Sequence, residues 1–321
     1  MRPLHGRRTG TLLSALALST CALLLTACSG ESTTDESGSE PELGEIPLML
    51  ETAGLEFPLD GYEATVAERS ALVQARKKLT VQCMARYGFT YTPPAEPETG
   101  SGKANARLYG VVSAKVAAQY GYQNPGAASA PQKTATAPLT EAEELALNGE
   151  DLLDPADLPA SQEDAERKGG SKQKIGGKAV PVGGCGTEAS LKLYRPKANA
   201  VDMLYVFNLK SKAQSLSRAD SRVRENTEKW SACMRKAGYS ATDPMDAADE
   251  LGYTDDELSS SAAITAAKAD VACKKEVNLV GVRYTVETAY QKRLIDKNAE
   301  TLNLAQQQLE DRLKLAARLN G

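Results

Sequence analysis

The chain has 321 residues, 41% hydrophobic and 25% charged, with 38 basic against 42 acidic side chains. These are the proportions of a soluble globular protein with room for one or two cores. Aromatics make up only 5%, so a core must be built largely from Ala, Leu and Val. The sole histidine, His5, lies in a segment that reads as removable. That excludes Ser-His-Asp and Cys-His catalysis, and every His-ligated zinc site, from the rest of the chain.

In chain order, residues 1–9 are positively charged and Thr11–Leu25 is a short uncharged apolar run. Together they form the n-region and h-region of a signal peptide over 1–27, too short to span a membrane. The run ends in Leu25-Thr26-Ala27-Cys28. This resembles a bacterial lipobox, in which small residues fit the signal peptidase and the cysteine takes a diacylglyceryl group. Two or more acyl chains on Cys28 are expected to anchor the chain stably to the extracytoplasmic face of the cell membrane. Arg7-Arg8 leaves the export route open between the general secretory and twin-arginine systems. Loss of 27 residues from 321, with Arg2, Arg7 and Arg8, leaves 294 residues carrying 35 basic and 42 acidic groups. Such an acidic chain is a poor partner for nucleic acid.

Residues 28–45 read as an acidic Ser/Gly-rich tether, with six acids, no base and little to bury. Two helical halves follow, 46–195 and 196–321. Cys83-Met84-x-x-x-Gly88-Phe89 and Cys233-Met234-x-x-x-Gly238-Tyr239 repeat at an offset of 150, which Pro94 and Pro244 keep. Each copy ends a predicted helix, Thr65–Tyr87 and Ala219–Ala237. The glycine suits the left-handed position after a helix, and Met then meets the aromatic residue in a Schellman motif.

Thr140-x-x-Glu143 predicts a capped helix closed by Gly149, and Asp243-Pro244 one closed by Gly252. Thr254-x-x-Glu257 is a second capping box, leading into an Ala-rich helix over Ser261–Val277. Leu279–Leu319 is one long, nearly unbroken helical pattern with a buried stripe. Val201–Leu209 reads as a short strand or part of a helix. Ala95–Lys103, Asn124–Pro138 and Asp151–Gly184 read as loops, the last carrying Lys168, Lys172, Lys174 and Lys178. The fold class is therefore mainly α.

Besides Cys28, the mature chain holds Cys83, Cys185, Cys233 and Cys273. An even count in an exported protein implies two bridges, and a four-cysteine zinc site is disfavoured by the wide spacings. Of three pairings, Cys83–Cys185 with Cys233–Cys273 gives each half one staple. Neither metal nor cofactor is expected. Tyr109, Tyr120 and Tyr122 are either an aromatic platform or core residues. The acids from Asp246 to Glu257 lack the spacing of a calcium loop. Ser171 and Lys174 match Ser-x-x-Lys, but in a loop and not at a helix start.

The lipobox, the paired Cys-Met-x-x-x-Gly-aromatic motifs, Arg107-Leu108-Tyr109-Gly110, Tyr120-Gly121-Tyr122-Gln123-Asn124-Pro125, Val180–Ala189 and Ala269–Lys274 together resemble an uncharacterised family of actinobacterial secreted lipoproteins. The resemblance spans most of the mature chain and brings no activity with it. Its departures are Thr80, where the second repeat has Trp230, and the long Asp151–Gly184 loop. The expected function is a non-catalytic binding or scaffolding role at the envelope, toward a wall polymer or a protein partner. The rival is the solute-binding lipoprotein of an ABC transporter. The surfaces left for function are the Asp151–Gly184 loop, the Tyr109–Tyr122 segment and the solvent side of the last helix.

Overall fold

The computed structural model describes residues 39–94, 105–125, 138–150 and 154–321. The signal segment 1–27, Cys28, residues 95–103 and most of the 124–138 loop lie outside the described residues. Glu40–Gly321 forms one compact unit. It is mainly α, with a single two-stranded hairpin among the described residues. No helix among them is long and apolar enough to cross a membrane.

Helix α1 (Val66–Arg86) opens on a capping box: Thr65 Oγ1 accepts from Glu68 N–H at 3.3 Å, and Thr65 N–H donates back to Glu68 Oε2 at 2.8 Å. At its far end Gly88 has φ +85°, and Phe89 N–H donates to the Met84 carbonyl while Gly88 N–H donates to that of Ala85. Helix α7 (Ser221–Lys236) ends identically through Gly238, Tyr239, Met234 and Arg235. Both repeats are thus Schellman motifs, with Met84 and Met234 fully buried beneath them.

Between these lie α2 (Ala114–Tyr120), α3 (Glu141–Asn148), α4 (Gln162–Lys168), α5 (Gly184–Tyr194) and α6 (Tyr205–Ala219). After α7 come α8 (Ala247–Glu250), α9 (Ser261–Glu276), α10 (Leu279–Lys297) and α11 (Ala299–Asn320). Helix α1 packs on α5 and α11, α9 on α2 and α7, and α10 on α6 and α7. Alanines at 263, 266 and 267 are fully buried and let α2 come close to α9. Gly121, after α2, has φ +59°, and a Cβ there would stand 2.5 Å from the Leu258 carbonyl oxygen. The largest core cluster joins Tyr109, Val111, Val112, Ala117 and Tyr122 to Trp230, Met234 and Val271, so residues of both sequence halves share one core.

Several expectations shift. Val201–Leu209 holds no strand; Val206, Leu209 and Ala213 line a buried stripe on α6 at helical spacing. The helix expected at Asp243 starts only at Ala247, because Asp243 Oδ1 turns the chain by accepting from Met245 N–H, and Pro244 gives its carbonyl to Lys274. At Thr254–Glu257 only half of the box forms: Thr254 N–H and O–H donate to Glu257 Oε2, while Glu257 N–H closes a turn on the Thr254 carbonyl, and Ser260 caps α9 instead. The C-terminal pattern breaks once, at Asn298, whose side chain donates to the Leu294 carbonyl and accepts from Tyr205 O–H. The break lets α11 reach α1 while α10 stays on α6 and α7.

The tether reading of 28–45 is shortened from its far end. Glu40 caps α7 by accepting from Ser221 N–H and Oγ, and the Pro41 carbonyl accepts from Arg222. Leu43 packs on the Ala213–Val223 cluster, so residues 40–43 are held on the body by contacts the composition does not reveal.

Candidate functional site

The two cysteine bridges are Cys83–Cys185, from α1 to α5, and Cys233–Cys273, from α7 to α9, with Cα separations of 5.5 and 5.6 Å. Each joins the last turn of a Schellman-capped helix to a neighbour. The partner helices carry their own echo, Cys185-Gly-Thr-Glu188 and Cys273-Lys-Lys-Glu276. In both, the glutamate comes to the sulfur of the first cysteine, at 3.8 Å for Glu188 and 3.5 Å for Glu276. The internal repeat is therefore a stapled helix pair, used twice. The spacing from Cys185 to Cys273 differs from the 150-residue offset of the capped helices, so alignment at one offset misses it.

On the first staple the Asp151–Gly184 segment builds a cleft. Its end is placed by Gly183-Gly184, with φ +75° and +73°. A Cβ on Gly184 would strike the Leu147 carbonyl, so only glycine lets α3 end against the first turn of α5. The segment is not structureless: it holds α4 and a hairpin of β1 (Lys174–Ile175) and β2 (Lys178–Ala179). Gly176 and Gly177 both have positive φ, as a type I′ turn requires. Lys178 donates to the Arg86 carbonyl and Tyr87 O–H to that of Ala179, each at 2.7 Å, docking the hairpin on the end of α1. Helix α4 is held at its other end, where Gln162 and Glu163 N–H donate to the Arg195 and Pro196 carbonyls after α5. These bonds satisfy orphan donors of a helix start.

The result is a cleft of about 330 Å³ between α1, α4, α5 and the hairpin. Glu188 is its electrostatic centre, bonded to both Arg86 and Lys192. Burial pushes the Glu188 carboxyl up, but the bonds from Lys192 and Arg86 outweigh this and hold it below the ordinary glutamate range. The Glu188 side chain is 12% exposed, against 47% for Arg86 and 37% for Lys192, so the two cations face the solvent side. Gln162 donates to Glu166 at 2.8 Å, while its buried Oε1 has no partner among the described residues. A buried acceptor left unpaired costs about 1–3 kcal/mol, which a donor entering the cleft would offset. The arrangement can hold a polar ligand through cationic donors at one end and an amide acceptor at the other.

Tyr109 and Tyr122 are core residues, buried to 3% and 6% exposure, and form no surface platform with Tyr120. Desolvation pushes both phenols far up, and Tyr109 donates to Glu287 at 3.1 Å. Ser171 Oγ accepts from Gln173 N–H and Lys174 sits on β1, with no hydrogen bond joining the pair. Of the loop lysines, Lys168 pairs with Asp164 and Lys178 with the Arg86 carbonyl; Lys172 and Lys174 are exposed. Glu250 is engaged by Thr242 and Glu257 by Thr254. No group of three or more His, Cys, Asp or Glu able to hold a metal occurs among the described residues. Sequence reading reached the 151–184 segment but missed Arg86, Gln162, Glu188 and Lys192. The second Cys-x-x-Glu copy was the available signal for Glu188.

Comparison of the chain with family models, curated proteins and solved structures gives no match.

Proposed function

We propose that the protein is a lipid-anchored cell-envelope protein that binds or scaffolds a partner without catalysing a reaction. In this reading Cys28 carries the lipid, and the compact unit from Glu40 onward stands just outside the membrane. The observation that carries it is the cleft on the first disulfide staple, with its two outward cations and the unpaired Gln162 acceptor. Two of its walls, α1 and α5, are joined by a disulfide, which favours binding by lessening the ordering left to be done when a ligand enters. The lipobox and the resemblance to actinobacterial secreted lipoproteins support the location. The mainly α architecture favours this reading over a transporter's solute-binding lipoprotein, a class built from alternating strands and helices.

The test uses the full-length chain in a bacterial host that processes lipoproteins. Cys28→Ala is expected to move the protein out of the membrane fraction. The purified protein is expected to capture envelope material, and Arg86→Ala with Lys192→Ala to lower that capture while the melting temperature stays above 37 °C. Continued membrane association of Cys28→Ala with intact processing overturns the anchor. Turnover of cell-wall or peptide substrates, abolished by one point substitution, overturns the non-catalytic role.

A further inference from the structure

Beyond the cleft, α5 borders a second concavity that shares only Lys192 with the first. The chain leaving α5 folds back over α11, and Gln308 pins it there: its Oε1 accepts from Val201 N–H and its Nε2 donates to the Asn199 carbonyl, both at 2.9 Å. Asn320 ties the end of α11 to the Ala71 carbonyl on α1. Between the two walls runs a groove of about 300 Å³. Tyr194, Leu304 and Leu315 supply its apolar surface, and Lys197, Arg312 and Arg318 supply charge.

Arg312 is the unusual member. It is largely withdrawn from water and lies 6.0 Å from the centre of the Tyr194 ring. Its Nε donates to the Gln308 carbonyl at 3.1 Å, one turn back on its own helix. No carboxylate pairs with it among the described residues, and desolvation lowers the pKa of the guanidinium. Asp311, the one acid lining the groove, is instead 3.3 Å from Lys314. A half-buried cation without a counter-ion is costly unless a charge arrives to meet it. The planar fork of Arg312 suits two parallel bonds to an oxyanion. Lys197 and Arg318, exposed at the rim, add attraction for the same charge.

We infer that this groove is a binding site for a small organic oxyanion, a carboxylate or phosphate monoester on a short apolar stem, with the head on Arg312 and the stem against Tyr194, Leu304 and Leu315. Calorimetric titration of the purified chain tests it with phenyl phosphate, benzoate, inorganic phosphate and benzyl alcohol. Phenyl phosphate, benzoate or both are expected to bind saturably, and their comparison distinguishes the two heads. Inorganic phosphate should bind at least ~5-fold more weakly and benzyl alcohol not measurably. The better aromatic anion should also move the Arg312 Nε–Hε cross-peak in NMR spectra. Arg312→Gln should raise its Kd at least ~10-fold, the worth of a charge-assisted bond. Its melting temperature should be unchanged or higher, since an uncompensated cation has been removed. If Arg312→Gln does not fold, Lys197→Ala with Arg318→Ala, both at exposed positions, should raise Kd at least ~3-fold. Absence of saturable binding by both aromatic anions, equal binding of benzyl alcohol or inorganic phosphate, or unchanged affinity in the variants overturns the inference.

Discussion

Replacing Asp270 by Asn keeps the side-chain shape and removes one charge from the middle of the largest core cluster. Asp270 is fully buried and accepts from Trp230 Nε1 and Lys274 Nζ, each at 2.9 Å. Lys274, 2% exposed, spends its other two donors on the Val111 and Pro244 carbonyls, at 3.1 and 3.0 Å. All three ammonium protons are placed, and Trp230 is satisfied. Burial drives Asp270 above and Lys274 below their ordinary pKa ranges, with their mutual attraction opposing both shifts. In Asp270→Asn the ammonium stays buried with no counter-charge, a loss of about 3–5 kcal/mol. With a urea slope of about 3 kcal/mol/M, the midpoint should fall by about 1–1.7 M. The deficit relative to the unmodified chain at the same pH should shrink as pH rises toward about 10.4. There the unfolded chain still holds the lysine proton that the folded variant has shed, so stability climbs with pH. Adding Lys274→Met should cost little beyond Asp270→Asn alone. If the two single costs instead add within about 0.5 kcal/mol, the residues are uncoupled and the reasoning fails.

Replacing Cys233 and Cys273 together by Ser opens a loop of 40 residues and should cost about 4 kcal/mol, read as a melting-temperature drop of about 8–16 °C; a drop under 2 °C would show that the staple holds nothing. Glu188, depressed by Lys192 and Arg86, contributes stability that is present above the ordinary carboxylate pKa and lost as pH falls through its lower folded value. Glu188→Gln should therefore flatten the loss of stability below pH ~4.3, followed by urea midpoints against pH, and an unchanged acid limb would refute the assignment. Gly121→Ala adds the strain of a sparsely populated positive-φ backbone, about 1–3 kcal/mol, to a collision with the Leu258 carbonyl. Its denaturation midpoint should fall accordingly, and a variant as stable as the parent would mean that α2 can shift away from α9 freely.

Features set within a few residues were legible without coordinates. The Schellman motifs at Gly88 and Gly238 need only a glycine, a methionine at its fixed distance and an aromatic residue. The box at Thr140, the Ala-rich α9 and the helical class as a whole are likewise local matters of capping and period. One bridge within each half, Cys83–Cys185 and Cys233–Cys273, is the pairing that the repeated motif and the even count favour. Competition between distant groups is not local, and there the chain alone misleads. Pro244 cannot begin a helix because its carbonyl is claimed by Lys274, thirty residues on. Asn298 looks like any polar residue in a helix until Tyr205 arrives to hold its side chain. The acids at Glu40 and Glu42 read alike, yet Glu40 caps α7 because residues 181 positions apart in sequence meet. The two concavities flanking α5 belong to the same class. Arg86, Gln162, Glu188 and Arg312 are ordinary surface residue types, and only the packing of α1, α4 and α11 around a disulfide-stapled α5 leaves, among the described residues, the Gln162 acceptor unpaired and the Arg312 guanidinium without a carboxylate.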